Sequence, residues 1–221
     1  MDIERNIQEV TSRIAQACER AGRSADEVTL VAITKTVEPS AIRAAFQAGV
    51  RQFGENRVQE AKAKLGELEN IRSRSTWHMV GHLQTNKVKT AIELFDIIQS
   101  VDSLRLAEFL SRHARETIPI LLEVNMAGEA TKGGFAADEV SQAIKKIGLM
   151  PNLEIKGLMT IAPLVRNPEE IRPVFRRLRE LRDSLGLERL SMGMTDDFEV
   201  AIEEGATIVR IGRAIFGERR V

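Results

Sequence analysis

The sequence is poor in several features that mark particular classes of protein. Cys18 is the single cysteine among 221 residues, so one thiol has no partner for an internal disulfide and a reducing compartment suits the chain. Lys plus Arg and Asp plus Glu both total 32, so no summed charge attracts nucleic acid or an anionic membrane. No apolar run approaches the roughly 18 residues of a membrane span. We expect a cytoplasmic protein with small-molecule partners.

The chain instead shows a regular alternation of helical and extended patterns. Between Ile3 and Ala21 apolar residues recur at helical spacing, and Gly22 follows as a stop, which predicts an opening helix. Eight short runs of apolar or β-branched residues come after it, each bounded by turn residues. They cover residues 28–34, 50–53, 77–80, 95–100, 119–124, 153–159, 189–192 and 208–211.

These runs predict one closed barrel with an extra N-terminal helix. Stretches such as 120–122 and 208–209 are continuously apolar, which is typical of parallel strands covered on both faces. Eight such strands, each followed by a helix, close naturally into a (β/α)8 TIM barrel. No Gly/Ser-rich linker divides residues 1–221, so we predict a single domain. A doubly wound sheet is the alternative.

Lys35 stands directly after the first predicted strand, where barrels of this class carry their sites. Its amine is expected to project into the barrel mouth. A neutral amine forms a Schiff base with a carbonyl compound, and desolvation or nearby cations favour the neutral form. A solvated lysine at a strand end is the alternative, and position alone favours it.

The segments after the last two strands carry groups suited to an anion. Ser191, Gly193 and Thr195 lie where a helix begins, so hydroxyls and backbone N–H groups gather there. Arg210 lies near the end of the eighth strand, and the glycine of Gly212-Arg213 lets the backbone approach a ligand. Loops in these two places often hold phosphate in barrels. A capping serine and a turn glycine are the alternative roles.

Two further strand ends carry polar candidates. Asn56 follows the second strand, where it caps the next helix or binds a ligand oxygen. His78 and His82 have the spacing of a helical metal pair, but they straddle a strand end, and no carboxylate or cysteine set completes a metal site. We therefore predict no metal and take His82 as the pocket candidate.

Taken together, these motifs resemble the pyridoxal 5′-phosphate (PLP) homeostasis proteins, also called PLP-binding proteins, in order and spacing from end to end. The resemblance implies a fold like the barrel half of alanine racemase. It also implies a fold-type III PLP site in which PLP is held as an aldimine on Lys35. The matching segments are Thr34-Lys35, Phe53-Gly54-Glu55-Asn56, Trp77-His78, Gly81-His82-Leu83-Gln84, Gly157-Leu158-Met159, Leu190-Ser191-Met192-Gly193-Met194 and Arg210-Ile211-Gly212.

The same resemblance implies a role for each candidate. Ser191 and the loop through Gly193 to Thr195, with the backbone of Gly212 and Arg213, hold the phosphate. Arg210 faces the pyridine nitrogen, where a permanent cation discourages protonation and weakens the ring as an electron sink. Asn56, His82 and Met159 line the pocket. Arg213 departs from the pattern, because relatives often have a small hydroxyl residue at this position.

The resemblance also bears on catalysis. The racemase relatives use a tyrosine from an additional β domain, whereas this chain has 0 tyrosines and only ten residues, 212–221, after the eighth predicted strand. The expected function is therefore to buffer or deliver PLP for vitamin B6 and amino-acid homeostasis, as a monomer that serves PLP-dependent apoenzymes, without catalytic turnover. One alternative is a PLP racemase or lyase with Lys35 as its only base. Another is an aldolase-type Schiff-base enzyme acting on a phosphorylated sugar without PLP.

Overall fold

The computed structural model describes residues 2–129 and 133–218. In these residues eight parallel strands form a closed barrel in chain order. Ile208 pairs with Thr29, so the last strand closes on the first and the barrel is confirmed over an open doubly wound sheet. The strands are β1 (Thr29–Ile33), β2 (Gln52–Glu55), β3 (Thr76–Met79), β4 (Ile97–Val101), β5 (Ile118–Glu123), β6 (Leu153–Met159), β7 (Arg189–Ser191) and β8 (Ile208–Ile211).

Helices cover the outside of the barrel. Asp2 starts the first of them by accepting a hydrogen bond from Arg5 N–H at 3.0 Å, and Pro39 begins the second, where a missing N–H costs nothing. The helices are α1 (Ile3–Arg20), α2 (Pro39–Gln47), α3 (Val58–Glu67), α4 (Glu69–Arg72), α5 (Val88–Leu94), α6 (Leu104–His113), α7 (Val140–Ile147), α8 (Arg172–Ser184), α9 (Phe198–Glu203) and α10 (Arg213–Phe216). Within the described ranges, none is both long and apolar enough to cross a membrane.

The sequence-based strand boundaries differ from the structure by one or two residues at several ends. The largest shift is in β2, predicted at 50–53 and found at Gln52–Glu55. Glycine and glutamate favour a loop by local propensity, but Gly54 and Glu55 are paired in the sheet and buried. Burial on both faces, which local propensity does not report, extends the strand.

Side chains alternate between the two faces of the barrel wall. On the outer face the rings of Phe53 and Trp77 stack with centroids 5.1 Å apart, and both are buried under helices. A second, separate apolar cluster consists of Val31, Leu121, Met159 and Ile208. Since successive residues of a strand point to opposite faces, this second cluster fills the barrel interior.

The opening helix is tied to the element that follows β7. The apolar side of α1 is buried, Cys18 included, and burial raises the pKa of its thiol. Arg13 of α1 pairs with Glu199 of α9 at 2.7 Å, and Arg20 pairs with Glu203 at 2.7 Å. The helix that begins after the Ser191 loop is thereby held against the N-terminal helix.

Candidate functional site

Lys35 lies at the open end of the barrel, two residues past β1. Val31 belongs to the interior cluster and Ile33 packs against it, so strand alternation carries Lys35 to the interior side. Its side chain is half-buried, in a turn formed by residues 34–36. Thr36 has φ 59°, a left-handed conformation that non-glycine residues rarely adopt. The structure thus brings the predicted lysine to the barrel mouth in a constrained turn.

Arg210 is a buried cation on the neighbouring strand. Its side chain donates from Nη1 to Ser191 Oγ at 2.6 Å and from Nη2 to the carbonyl oxygen of Thr160 at 2.8 Å. Burial lowers the pKa of Arg210 to about 10, against the opposing effect of the carboxylates of Asp197 and Glu123. The guanidinium therefore stays charged at neutral pH.

Ser191 connects Arg210 to a chain of polar side chains that crosses the barrel interior. Ser191 Oγ lies 2.6 Å from Gln99 Oε1, Gln99 Nε2 lies 2.8 Å from His78 Nδ1, and His78 Nε2 lies 2.7 Å from Gln52 Oε1. Burial lowers the pKa of His78 to about 4, so its ring is neutral. These five residues, called the interior chain below, link β8 to β2 inside the barrel.

The loop after β7 requires a glycine. Gly193 has φ 92°, and a Cβ there would lie 2.6 Å from the Cβ of Ala201 and 2.9 Å from the Cα of Phe198. Its carbonyl accepts from Arg210 N–H at 3.0 Å, which joins the loop to β8. Among the described residues, the N–H of Thr195 in this loop donates to no protein acceptor.

The loop after β8 lies against the end of β1 and the loop after β7. A Cβ on Gly212 would lie 3.3 Å from the carbonyl oxygen of Ile33, so the chain passes close to the end of β1. The N–H groups of Arg213 and Ala214 begin α10 and have no protein acceptor within the part of the chain described. The guanidinium of Arg213 pairs with both carboxylate oxygens of Asp196, which ties the two loops together.

Asn56 contributes an unsatisfied acceptor at the end of β2. Its Oδ1 is buried and accepts no hydrogen bond from any described residue. A Cβ on Gly81 would lie 2.4 Å from the Asn56 carbonyl oxygen, so only glycine permits this approach of the β2 and β3 loops. The alternative role as a helix cap is wrong, because α3 begins at Val58 and its N-cap residue is Arg57.

His82 lies on the rim of the barrel mouth and not within the interior. Its Nδ1 is 2.8 Å from Asp102 Oδ2, and its side chain is 70% exposed. With Asn56 it lines a cleft of about 410 Å³. Glu123 interacts electrostatically with both His82 and Asp102. Burial raises the pKa of Glu123, the negative charge of Asp102 raises it further, and His82 partly opposes the increase.

Met159 is fully buried in the interior cluster, against Val31 and Leu121. It therefore belongs to the apolar floor beneath the mouth. His78 and His82 point to different partners, Gln52 and Asp102. No group of three His, Cys, Asp or Glu side chains in the described ranges is arranged to hold a metal.

Sequence reasoning missed several polar residues of this region. Gln99 lies in the apolar run Ile97-Ile98-Gln99-Ser100-Val101 and is fully buried, and a lone amide in such a strand is a usable signal. Asp102 directly follows β4 and Glu123 ends β5, so both share the strand-end signal that marks Lys35. Lys64, in the middle of α3, offered no comparable signal, since a lysine on a helix is usually solvated.

Comparison with known proteins gives one family. Residues 6–220 match the family model described as alanine racemase, N-terminal domain. A pyridoxal phosphate homeostasis protein of Aquifex aeolicus is 46% identical over 223 residues, which cover 97% of each chain.

Two solved structures are similar over nearly their whole length. A Bifidobacterium adolescentis protein has a TM-score of 0.91 and 41% identity, covering 97% of this chain and 94% of its own. PipY of Synechococcus elongatus, solved with PLP bound, has a TM-score of 0.81 and 37% identity, covering 92% of this chain and 100% of its own. The barrel and its open end are thus shared with a protein that binds PLP.

Proposed function

Since the chain belongs to the alanine racemase N-terminal domain family, and within it to the pyridoxal phosphate homeostasis proteins, we propose that it binds PLP and buffers or delivers it. The relative at 46% identity is named for homeostasis and not for a catalysed reaction. One observation supports the proposal above all: a half-buried lysine, a buried arginine and unsatisfied backbone N–H groups meet at one end of the barrel.

The residues present fit the chemistry of this cofactor. When bound, PLP supplies an aldehyde that condenses with amines, a phosphate and an electron-withdrawing ring. Lys35 is the amine in our proposal, because it lies on the interior side between the Arg210 strand and β2. The buried Oδ1 of Asn56 is an acceptor available to a polar group of a ligand. Met159 and His82 complete the floor and the rim of the pocket.

We assign phosphate binding to the loops after β7 and β8. N–H groups of Thr195, Arg213 and Ala214 provide donors to a phosphate, and such donors bind anions well. The Ser191 hydroxyl already bonds to Arg210 and Gln99. The backbone therefore carries the main phosphate contact in this proposal, and the predicted contact from Ser191 depends on Ser191 exchanging a partner.

Arg210 is proposed to face the ring nitrogen of PLP. Arg210 is 5% exposed, and its guanidinium is fixed by hydrogen bonds to Ser191 and Thr160. A fixed cation disfavours a second positive charge on the ring, so the ring is a weak electron sink. This supports a carrier rather than an enzyme that must stabilise a carbanion.

The remaining features of the proposal concern the molecule as a whole. Residues 1–221 act as one PLP-binding domain and as a monomer that passes PLP to PLP-dependent apoenzymes. The cytoplasm is the proposed location, since the buried thiol of Cys18 suits a reducing compartment. Each point has its own measurement: solution mass for the monomer, and transfer of PLP to a purified apoenzyme for delivery.

Borohydride reduction followed by peptide mapping tests the central claim. The purified protein is loaded with PLP, reduced and digested, and the modified lysine is identified by mass spectrometry. We expect the label on Lys35, its loss in Lys35→Ala, and no change in the matched variant Lys62→Ala, which alters an exposed lysine. A label on another lysine, or no label, contradicts the claim. Saturable turnover of an amino acid at about one per second or faster contradicts the carrier function.

A further inference from the structure

A buried ion cluster lies behind the turn that carries Lys35. It consists of Lys64, Glu55, Glu60 and Thr34 and is called the Lys64 cluster below. Lys64 Nζ lies 2.9 Å from Glu55 Oε1 and 2.6 Å from Glu60 Oε1. The Thr34 hydroxyl donates to Glu55 Oε1 at 2.6 Å. The Lys64 side chain is 10% exposed and that of Glu55 is 0% exposed, so the ammonium is buried with its partners.

The Lys64 cluster forms hydrogen bonds with the backbone on both sides of Lys35. Lys64 Nζ donates to the carbonyl oxygen of Thr34, the residue before it, at 2.5 Å. Glu60 Oε1 accepts from the N–H of Thr36, the residue after it. Glu60 and Lys64 lie one turn apart on α3. They therefore bind the peptide groups on the two sides of the proposed cofactor lysine.

The turn that carries Lys35 has a backbone conformation that requires stabilising contacts. Thr36 has φ 59°, in the left-handed region, which is unfavourable for a non-glycine residue because its Cβ crowds the following carbonyl oxygen. Its hydroxyl donates to the Lys35 carbonyl at 2.6 Å, and its N–H is held by Glu60. Strain of this kind persists where surrounding contacts over-determine the backbone, and it is concentrated at functional sites.

The electrostatics of the cluster differ at its two carboxylates. Burial raises the pKa of Glu55, and the hydrogen bonds from Thr34 and Lys64 only partly offset this effect. Burial also raises the pKa of Glu60, but the hydrogen bonds from Lys64 and from the N–H of Thr36 outweigh burial, so the pKa of Glu60 is lowered. Glu60 is therefore the firm anionic partner of the Lys64 ammonium.

The cluster lies on the opposite side of the barrel wall from the lysine it supports. Gln52 belongs to the interior chain and Phe53 to the outer core, so alternation places Glu55 on the outer face, toward α3. Lys64 and Glu60 therefore act on the cofactor lysine only through the backbone of the turn.

We propose that Lys64, together with Glu60, is a positioning residue that fixes the Lys35 amine for capture of PLP. The proposal rests on the proposed function, in which Lys35 bears the cofactor. A purely structural ion pair would contribute to stability wherever it lay. The Lys64 cluster instead directs a charged donor, Lys64 Nζ, and a charged acceptor, Glu60 Oε1, to the peptide groups on either side of Lys35.

The first test compares Lys64→Met with Lys62→Met, which changes an exposed lysine of the same helix. We expect the PLP affinity of Lys64→Met to fall roughly tenfold, because covalent capture depends on where the amine is placed, and a displacement of about 1 Å costs a reacting group as much as about a hundredfold. The visible circular dichroism of bound PLP should also change, since it reports the geometry of the site. Equal affinity and equal spectra in the two variants would overturn the proposal.

The second test does not need PLP. The apo protein is labelled with a trace of an acylating ester, and the rate at Lys35 is measured by peptide mass spectrometry. Loosening the turn exposes a half-buried amine, so labelling of Lys35 should be faster in Lys64→Met than in Lys62→Met. A wild-type protein that takes up no PLP defeats the proposed function, while the labelling rate still decides whether Lys64 positions the lysine.

A third comparison guards against a Lys64 variant that does not fold. Glu60 is partly exposed, with a side chain 24% accessible, so its replacement is tolerated more easily. Glu60→Ala removes the acceptor for Thr36 N–H, Glu60→Gln keeps a neutral one, and Glu67→Ala is the exposed control on α3. We expect weaker PLP binding in Glu60→Ala and recovery in Glu60→Gln. Equal binding in Glu60→Ala and Glu67→Ala would contradict the proposal.

Discussion

Arg210 donates a hydrogen bond to the hydroxyl of Ser191 at 2.6 Å inside the barrel. A guanidinium has no acceptor, so Ser191 must use its own proton on the next residue, Gln99. Gln99 then presents its amide N–H to His78. Every bond of the interior chain therefore runs in one direction, away from the buried charge, and the orientation of each polar group follows from the arginine.

The first prediction concerns the tautomer of His78. Because Nδ1 accepts from Gln99, the ring proton must be on Nε2, where it donates to Gln52. Long-range ¹H–¹⁵N NMR of the protein, which has 3 histidines, distinguishes the two nitrogens directly. A proton on Nδ1 at neutral pH would mean that the chain is oriented the other way.

The second prediction follows from the pKa of His78, which burial lowers to about 4 from 6.5. Between these values the unfolded state binds the proton and the native state does not. The free energy of unfolding is therefore largest above pH 6.5 and falls as the pH drops toward 4, by about 3 kcal/mol for this residue.

Urea unfolding at several pH values between 7 and 4 measures this dependence. His78→Gln keeps a polar side chain but does not titrate, so its stability should depend less on pH in that window than that of the wild type. His113→Gln is the control, since His113 lies on a helix and lies outside the interior chain. Parallel curves for wild type and His78→Gln would refute the assignment.

The fold was predictable because each barrel strand has a recognisable local sequence pattern. All eight predicted runs overlap observed strands, and their order in the chain is their order in the barrel. Boundaries were less accurate, as at β2, where pairing carries the strand through Gly54 and Glu55. Pairing is a long-range property, so a single stretch of sequence does not report it.

The positions of candidate site residues were predictable where a residue type and a strand end coincide. Lys35, Gly193 and Arg210 lie at the same end of the barrel, as expected. The support behind them was hidden, because the partners of Lys64 and Gln99 are 30 and 92 residues away at Thr34 and Ser191. Contacts at such separation depend on how strands and helices pack in three dimensions and leave no local pattern.

The third prediction concerns Gly193. In Gly193→Ala the new Cβ would meet Ala201 at 2.6 Å and Phe198 Cα at 2.9 Å, in a residue with φ 92°. The β7 loop must move, so we expect a loss of stability of about 1–3 kcal/mol together with weaker PLP binding. Urea unfolding and PLP titration measure the two effects.

Gly186 provides the matched control for Gly193. It also has positive φ, 65°, but a Cβ there meets nothing within 4 Å. Gly186→Ala should therefore show only the conformational cost of positive φ, roughly 1–2 kcal/mol, and should leave PLP binding unchanged. If the two variants bind PLP equally well, the β7 loop is not part of the phosphate site.

The fourth prediction separates the backbone of Arg213 from its side chain. The guanidinium is paired with Asp196 at the surface, so the phosphate should depend on the N–H group and not on this charge. Arg213→Ser, which introduces a small hydroxyl residue, should change PLP affinity by less than about threefold, in line with the small energies of exposed ion pairs. A tenfold loss would show that the guanidinium itself binds phosphate.

The last prediction returns to the interior chain at Gln99, which is fully buried. Gln99→Leu leaves the Ser191 hydroxyl and His78 Nδ1 without partners, and a buried unsatisfied group costs about 1–3 kcal/mol. Gln47→Leu, at an exposed position of α2, controls for the gain in hydrophobicity. Because Ser191 then turns its proton elsewhere, the hydrogen bond that fixes Arg210 is altered and the absorption of bound PLP should shift. If Gln99→Leu and Gln47→Leu have the same stability and the same PLP absorption spectrum, the interior chain neither stabilises the barrel nor orients Arg210.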